Sequence, residues 1–360
     1  EIIMNNQTIR VLVIGAGHMG ISHARAYSKL EGFEICGVVT RSLRSSQDMV
    51  DELGPIPQYI DFNQALRETK PDAVSISSYT ETHFPYTIAA LDFGCHVFVE
   101  KPLAETVEKA RTIAIKSKEV NRKVVVGYIL RHHPSWINFI EIARNMGSPL
   151  AMRMNLNQQS KGENWETHKN LMKTTSPIVD CGVHYVDVMC QMTRSKPTRV
   201  HAVGSRLSDE ISPTMYNYGI LNIQFENGSS GWYEAAWGPM VSETAFFVKD
   251  AMGPKGCVSI VADKAEGVES DDVDSHCKTN ILKVHHAELN EKGEFVHEDE
   301  FINTEDEPGH DELCEREQAY FLKAIKENLD LTDHLEDAVN SLAIVLAADL
   351  SYRDGRAINL

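Results

Sequence analysis

The sequence has no apolar stretch long enough to cross a bilayer, which argues against an integral membrane protein. Its seven cysteines are odd in number and lack C-x-x-C spacing, so neither a disulfide framework nor a zinc ribbon is expected. Basic residues are scarce, 35 against 52 acidic ones, and the net charge of −17 argues against nucleic acid or an anionic membrane as the main partner. Residues 1–7 also lack the features of a secretion signal, and we expect a cytoplasmic protein with reduced, mostly buried cysteines.

Two motifs of hydrolytic chemistry are missing as well. The sequence contains neither the HExxH spacing of zinc proteases nor the GxSxG of a serine nucleophile elbow. Histidines occur as the pairs His132-His133 and His285-His286, but adjacent side chains point in different directions. We therefore expect no catalytic metal.

Short apolar runs alternate with helix-length segments over residues 9–129. Turn residues such as Gly94 and Pro71-Asp72 separate them. This alternation predicts βαβ units and a parallel sheet covered by helices on both faces. The expected strands are 11–14, 35–39, 73–76, 96–99 and 124–128, and the expected helices are 18–30, 42–53, 62–68, 83–93 and 106–121.

The pattern changes after about Arg131. Longer alternating segments follow, and Asn227-Gly228 predicts a hairpin turn between two of them. An acidic stretch at 263–317 is expected to be a solvated edge with loops. The expected strands are 150–158, 198–206, 216–225, 229–236, 245–249, 281–286 and 294–297, and the expected helices are 134–145, 177–192, 312–327 and 335–351.

Six residues between the first strand and the first helix have GxGxxG spacing, Gly15-Ala16-Gly17-His18-Met19-Gly20. In this strand–turn–helix context the motif predicts a dinucleotide-binding turn. Gly15 allows the tight turn, Gly17 lets the backbone approach a diphosphate, and Gly20 lets the helix pack against the strand. The diphosphate would lie on the free amides at the start of the helix, which makes His18 and Met19 candidate cofactor contacts.

The chain is long enough for two domains. We predict an α/β protein whose residues 8–130 form a Rossmann domain with a doubly wound parallel sheet. Residues 131–345 would form an α+β domain with a large, open, mainly antiparallel sheet. Residues 346–360 would be the end of a helix and a tail that returns to the Rossmann domain.

The end of the second strand indicates which dinucleotide is bound. A carboxylate about 20 residues beyond the glycines would hold the ribose hydroxyls and favour NAD. That position falls on Thr40-Arg41-Ser42, with Arg44 just beyond, and holds no carboxylate. Because an arginine and hydroxyls suit a 2′-phosphate, the sequence favours NADP, with NAD held by other groups as the alternative.

Two further segments carry groups suited to redox chemistry on an alcohol. Glu100-Lys101-Pro102 follows a strand at the sheet edge where ligands bind, and Lys101 could stabilise a developing alkoxide. In the segment 180–187, Asp180 and His184 are four residues apart on a predicted helix, and Asp187 lies three beyond the histidine. A histidine flanked by carboxylates is suited to take a proton from an alcohol as hydride leaves.

These motifs in this order resemble the glucose-fructose oxidoreductase, inositol dehydrogenase and MocA (Gfo/Idh/MocA) family. The similar segments are IGAGHMGISHARAY at 14–27, SISSYTETHFPYTIAALDFGCHVFVEKPLA at 75–104, DCGVHYVD at 180–187 and LAADLSYRDGRAINL at 346–360. The resemblance implies reversible oxidation of a secondary alcohol on a sugar, inositol or related polyol. It also implies a homodimer or homotetramer formed through the second domain's sheet.

The resemblance also implies residue roles. Lys101, Asp180 and His184 match the family's catalytic lysine, substrate-contacting aspartate and proton-transferring histidine. Further matches concern the cofactor, at Ser78, Thr80, His83, Glu100 and Lys101 itself, and the substrate, at Arg131, Trp165 and His168. Tyr79 and Thr80 depart from the Pro and Asn usual in that loop.

Two other functions remain open on this fold. One is a regulator that binds the cofactor without turnover, and the other is a hydrolase that uses NAD transiently to cleave a glycoside. Since a binding module needs none of Lys101, Asp180 and His184, their joint presence favours the dehydrogenase.

Overall fold

A computed structural model describes residues 7–242, 248–261, 278–304 and 306–360. The chain forms two compact units. The first runs to Ile129 and also includes Gly309–Val339, and the second comprises Leu130–Pro308 and Asn340–Leu360. No helix of the described residues has both the length and the apolar character needed to cross a membrane.

The first unit is built on a six-stranded parallel sheet of order β3-β2-β1-β4-β5-β6. Its order reverses at β1, which pairs with both β2 and β4, and ligands of such sheets bind beyond the carboxyl ends of the strands at that point. The predicted Rossmann fold is confirmed. The strands are β1 Ile9–Ile14, β2 Phe33–Val39, β3 Gln58–Tyr59, β4 Ala73–Ile76, β5 His96–Glu100 and β6 Val124–Gly127.

Helices connect and cover these strands. They are α1 His18–Lys29, α2 Gln47–Leu53, α3 Phe62–Thr69, α4 Thr80–Phe93 and α5 Val107–Glu119, with a 3₁₀ turn at Leu43–Ser46. Two more begin much later in the chain, α10 His310–Lys326 and α11 Thr332–Asp354. Phe321 of α10 is buried in the same core as Val11 of β1 and Phe98 of β5. The predicted domain boundary, which placed everything from 131 to 345 in the second domain, is therefore wrong for 309–339.

The second unit holds a nine-stranded sheet of order β14-β13-β12-β11-β7-β10-β9-β8-β15. All neighbours are antiparallel except β7 and β10, which are parallel, so the expected mainly antiparallel sheet is confirmed. Its strands are β7 Ala151–Gln159, β8 Pro197–Ser205, β9 Tyr218–Phe225, β10 Ser230–Gly238, β11 Lys249–Gly253, β12 Gly256–Val261, β13 Ile281–His286, β14 Glu300–Asn303 and β15 Ile358–Asn359. Its helices include α6 Pro134–Asn145, α7 Gly162–Leu171, α8 Pro177–Asp180 and α9 Gly182–Thr193.

Several local predictions for this unit need correction. The tail does not return to the Rossmann domain, because β15 pairs with β8 and so extends the nine-stranded sheet. The helix expected over 177–192 is two helices, α8 and α9, with Cys181 at the junction. Residues 294–297 form only an isolated bridge, Leu289 to Phe295, and the edge strand lies later, at β14.

Other predictions fall partly outside the described residues. Of the strand expected at 245–249, only the end is described, and β11 begins at Lys249. The acidic residues 263–277 and Cys277 also lie outside the described part of the chain. The six described cysteines form no disulfide with one another, and four of them are buried.

Candidate active site

The glycine turn after β1 has the geometry that its motif predicts. Gly15 has φ +94°, and a Cβ there would lie 2.2 Å from the Ser77 carbonyl oxygen. A Cβ on Gly20 would lie 2.2 Å from the Gly15 carbonyl oxygen. A Cβ on Gly17 would meet no atom within 4 Å. Gly15 and Gly20 are thus required for packing, whereas Gly17 leaves a space beside the turn.

The start of α1 offers unsatisfied backbone donors at that space. Gly17 is the residue before the helix, no side chain caps it, and the first turn contains no acidic residue. By contrast, Asp61 caps α3 and Thr106 caps α5 through side-chain oxygens. Free amides and the positive end of the helix dipole suit the diphosphate of a dinucleotide, so the residues present fit that cofactor.

Replacing Gly17 by valine should therefore separate folding from cofactor binding. Gly17 has φ −75° and ψ −172°, a conformation open to any residue, so the melting temperature should stay near that of the wild type. The added side chain would fill the space for the diphosphate and weaken NADH binding by about tenfold or more. Fluorescence titration with NADH measures the affinity. Gly15→Val is the matched control, and it should lower the melting temperature instead. Unchanged NADH affinity in Gly17→Val would contradict this assignment.

The loop after β2 presents a cation and hydroxyls, as predicted. Thr40 is buried, and its hydroxyl donates to the Ser42 carbonyl at 2.7 Å, which shapes the turn. Arg41 is exposed, and its guanidinium carbon lies 5.2 Å from the centre of the Tyr79 ring. In the sequence, Tyr79 is visible only as a departure from the family pattern. In the structure its ring faces the guanidinium of Arg41. The first carboxylate beyond the loop is Asp48, in the first turn of α2.

His83 links the two loops that follow β4 and β5. Its Nδ1 lies 2.7 Å from the Pro102 carbonyl oxygen, and its Nε2 lies 3.0 Å from that of Ser78. Burial lowers the pKa of His83, so the ring is neutral near neutral pH and donates to only one of these acceptors. The shorter contact places the proton on Nδ1. The Ser78 hydroxyl lies 2.5 Å from that of Thr82, and Thr80 begins α4.

Lys101 lies directly beyond the carboxyl end of β5. It is half-buried, and its backbone N–H donates to the side-chain Oε2 of Glu100 at 3.3 Å. One residue further on, the Pro102 carbonyl oxygen is hydrogen-bonded to His83 Nδ1. The lysine is therefore attached to a fixed segment of backbone at the end of the sheet where ligands of this fold bind.

Asp180 and His184 lie on either side of the junction between α8 and α9. Asp180 ends α8, and His184 is in the first turn of α9, where its N–H bonds to the Cys181 carbonyl at 3.2 Å. Gly182 is required here because a Cβ would lie 2.8 Å from the ring of Tyr233 in β10. The sheet thus fixes the junction that carries both residues.

Arg131 and Asp187 form a bidentate ion pair. The guanidinium nitrogens lie 2.8 and 2.6 Å from the two carboxylate oxygens, and Gln191 donates to Oδ2 at 3.0 Å. Asp187 is thus held by this arginine, a partner that the sequence spacing could not indicate. A role of Arg131 toward substrate stays a prediction.

Aromatic residues of the same unit are connected to this junction through Gln158. The His168 ring stacks on Trp237 at 4.3 Å with an interplanar angle of 5°. The indole N–H of Trp237 donates to Gln158 Oε1 at 2.7 Å, and the Cys181 thiol lies 3.6 Å from the same oxygen. Trp165 is buried and donates to Glu210 at 3.2 Å. No sequence motif pointed to Gln158 and Trp237, which face each other across the parallel pair of β7 and β10.

Two family models match the chain, one for each part. The model "Oxidoreductase family, NAD-binding Rossmann fold" matches residues 9–128, and the "GFO/IDH/MocA C-terminal domain" matches residues 143–247. Fold and site together define an oxidoreductase with a dinucleotide-binding domain. The chain belongs to the Gfo/Idh/MocA family.

Several characterised proteins are similar to the chain. D-glucoside 3-dehydrogenase of Escherichia coli is 24% identical over 274 residues, which are 70% of this chain and 77% of that protein. Inositol 2-dehydrogenase of Klebsiella pneumoniae is 29% identical over 187 residues, 51% of this chain and 53% of that protein. The solved structure of scyllo-inositol dehydrogenase from Lactobacillus casei with bound NAD(H) and scyllo-inositol has a TM-score of 0.76 at 18% identity, and the match covers 98% and 99% of the two chains. These relatives support an oxidoreductase over the regulator and the hydrolase that the sequence left open.

Proposed function

We propose that this chain is an NAD(P)-dependent dehydrogenase that oxidises a secondary alcohol of a sugar, inositol or related polyol, and reduces the corresponding ketone in reverse. The observation that carries this proposal is that two fixed backbone segments each present a group suited to this reaction. One holds an amine, Lys101, at the carboxyl end of β5, and the other holds an imidazole, His184, at the start of α9. The relatives named above for a glucoside and for inositols support a polyhydroxy substrate.

Each of the residues Lys101, Asp180 and His184 has one role in the proposed reaction. His184 would accept the proton of the substrate hydroxyl, and Lys101 would stabilise the alkoxide as it develops, which are the roles that the family resemblance implies for these two residues. The hydrogen on the carbinol carbon leaves with its electron pair, and the carbon–oxygen bond becomes a carbonyl. The nicotinamide, when bound, supplies the hydride acceptor. Asp180 holds a neighbouring substrate hydroxyl or orients His184.

The aromatic residues suit a neutral ring with many hydroxyls. The His168 ring is partly exposed and stacks on the buried indole of Trp237, so it offers an apolar face for C–H groups, while the partly exposed Gln158 offers a carboxamide for hydrogen bonding. We propose that His168 and Gln158 determine which polyol is accepted, and that the buried Trp165 and Trp237 support them from the core.

The test of this function is a panel of alcohols with both oxidised cofactors. scyllo-Inositol, myo-inositol, glucose and a methyl glucoside are each mixed with the protein and NAD⁺ or NADP⁺, and the reduced nicotinamide is followed by absorbance. Net reduction with at least one of these alcohols is expected. Cofactor binding without reduction on any alcohol would instead support a regulator.

We further propose a preference for NADP. The support is the exposed Arg41 beside Tyr79 and the hydroxyls of the same loop, which suit a 2′-phosphate and an adenine face. Arg41→Ala should weaken NADPH binding by about tenfold, since a charged hydrogen bond contributes roughly 1.5–3 kcal/mol, and should change NADH binding little. Parallel fluorescence titrations with the two cofactors measure this difference. Tighter NADH binding by the wild type would overturn the preference.

Assembly and location are proposals of the same kind. We propose a homodimer or homotetramer formed through the exposed face of the nine-stranded sheet, where Val203 and Met252 are exposed. Light scattering after size-exclusion chromatography tests this assembly, and a monomeric mass would contradict it. A cytoplasmic location is proposed from the free cysteines and is tested by fractionation of cells.

A further inference from the structure

A cluster of polar side chains is buried in the Rossmann unit directly behind Lys101. His23 of α1 and both Glu317 and Gln318 of α10 have no exposed surface, and Glu100 at the end of β5 is 8% exposed. Tyr27, one turn after His23, is also fully buried. The sequence motifs assigned no role to His23, Tyr27, Glu317 or Gln318, and the function proposed above uses neither His23 nor Glu317.

Four of these groups form a directed chain of hydrogen bonds. The Tyr27 hydroxyl donates to Gln318 Oε1 at 2.7 Å, and the Gln318 amide donates to His23 Nδ1 at 3.0 Å. Because Nδ1 is an acceptor, the ring proton is on Nε2, which donates to Glu100 Oε1 at 2.6 Å. The other oxygen of Glu100 accepts from the Lys101 backbone N–H. The chain therefore ends on the peptide of the proposed catalytic lysine and suits an ionised Glu100.

Glu317 lies outside this chain. Its carboxyl group, Glu100 and His23 each present an atom within 4.8 Å of one another. Neither carboxyl oxygen of Glu317 has a hydrogen-bond partner among the described residues. The other ionisable groups that face it are Glu100 on β5, and His23 and Tyr27 on α1, with Cys314 of α10 also close to Tyr27. An ionised Glu317 would thus place a second negative charge in the interior, beside Glu100 and without a cation of its own.

We propose that Glu317 is a neutral carboxylic acid in the folded protein and that Glu100 and Glu317 together hold one proton behind Lys101. Glu100 keeps the single negative charge, accepts from His23 and the Lys101 peptide, and so acts as a positioning residue for the lysine. Burial and the charge on Glu100 raise the pKa of Glu317 well above its ordinary value, in agreement with the geometry. The protonation state stands on the structure alone, whereas the positioning role rests on the proposed function.

The same three residues could be taken for a metal site. The distance between His23 Nε2 and Glu100 Oε1 is 2.6 Å, which is a hydrogen bond. Tetrahedral ligands at the usual zinc distances would lie roughly 3.3 Å apart. The geometry therefore favours a proton over a metal ion.

Infrared spectroscopy of the intact protein tests the protonation state without any substrate. The difference spectrum between the wild type and Glu317→Gln near neutral pH should contain the C=O stretch of a protonated carboxylic acid. If Glu317→Gln does not fold, the wild type labelled with ¹³C at glutamate carboxyl groups gives the same information by NMR. One resonance should stay at the position of a protonated acid well above pH 5. Absence of both signals would overturn the proposal.

The pH dependence of stability gives an independent result with a definite sign. The pKa of Glu317 is higher in the folded than in the unfolded state, so the folded state holds its proton more tightly. The resulting contribution to stability is complete below the unfolded pKa. It is lost as pH rises toward the folded pKa. The folding constant of the wild type should thus fall relative to that of Glu317→Gln by about tenfold per pH unit in that window. The melting temperature of Glu317→Gln minus that of the wild type should increase as pH rises above the unfolded pKa of a glutamate. If the melting temperatures of the two proteins changed in parallel with pH, the shared proton would be refuted. A wild-type melting temperature that falls on adding EDTA would also refute it, because it would indicate a bound metal ion.

The positioning role has its own readout. Glu100→Gln keeps the shape of the side chain and removes its charge, and it should lower kcat by tenfold or more with little change in the KM of the alcohol. If kcat is unchanged while the infrared signal is present, the shared proton stands and the positioning role fails. If no alcohol is oxidised by the wild type, the proposed function fails, and the infrared result is not affected.

Discussion

Replacing Lys101 by methionine is expected to lower kcat for the polyol by about 10²–10³-fold, the range found when one donor to a developing oxyanion is removed. Methionine fills much of the same volume, so folding should persist, and the loss reports the missing ammonium group. The diphosphate is expected on the glycine turn and the start of α1, which this substitution does not alter, so the affinity for NADH should change far less than kcat. Steady-state kinetics and fluorescence titration on the same preparation measure both quantities.

A matched control is available on the neighbouring helix. Lys118 is exposed in the last turn of α5, and Lys118→Met makes the same chemical change away from the site. Its kcat should equal that of the wild type. If Lys101→Met retained wild-type turnover on the true substrate, the role of the lysine would be refuted.

The second large effect is expected for His184→Asn. Asparagine keeps a polar side chain of similar reach but cannot accept the proton of the alcohol, and general base catalysis contributes about 10²–10⁴-fold. The residue lies in the first turn of α9, whose packing depends on Gly182 against Tyr233, so the substitution should leave the fold intact. The kcat should fall in this range, and the pH dependence of kcat/KM should lose the limb that arises from the base.

His201 provides the comparison for this variant. It is exposed on β8, and His201→Asn should leave both kcat and the pH profile unchanged. A pH profile of His184→Asn with both limbs intact would show that another group accepts the proton.

Local sequence patterns were sufficient for five of the six strands of the Rossmann sheet and for the glycine turn, but they missed β3, which has only two residues. The glycine motif succeeded because each glycine answers a local steric demand, a positive φ at Gly15 and a close approach at Gly20. The parallel strands were equally visible, since buried strands such as β4 and β6 are continuous apolar runs. In both cases the signal lies within a few consecutive residues.

Pairings between distant parts of the chain could not be predicted in the same way. Helix α10 looks like any amphipathic helix, and only the packing of Phe321 with Phe33 and Phe98 shows that it belongs to the first unit. The short β15 was too brief for a periodic pattern, and its pairing with β8 decides where the tail lies. Side-chain partners such as Asp187 for Arg131 are likewise set by the tertiary fold.

The candidate site shows the same division. Lys101, Asp180 and His184 were proposed from motifs and stay predictions, whereas the links from Glu100 to His23 and from Trp237 to Gln158 join residues 77 and 79 positions apart. Tyr79 is intermediate, because its departure from the family pattern was visible but its contact with Arg41 was not. Contacts of this kind depend on which strand ends are neighbours, and that is a property of the sheet order.

The most direct test of the proposed chemistry is to follow the hydrogen that leaves the substrate. A polyol from the panel that is oxidised is prepared with deuterium on the carbinol carbon, and the reduced nicotinamide is collected after turnover and examined by mass spectrometry. The account predicts that one deuterium per turnover appears in the reduced cofactor and that a ketone forms in equal amount. Reduced cofactor without deuterium, or consumption of the polyol with no reduced cofactor, would contradict hydride transfer as the function of this protein.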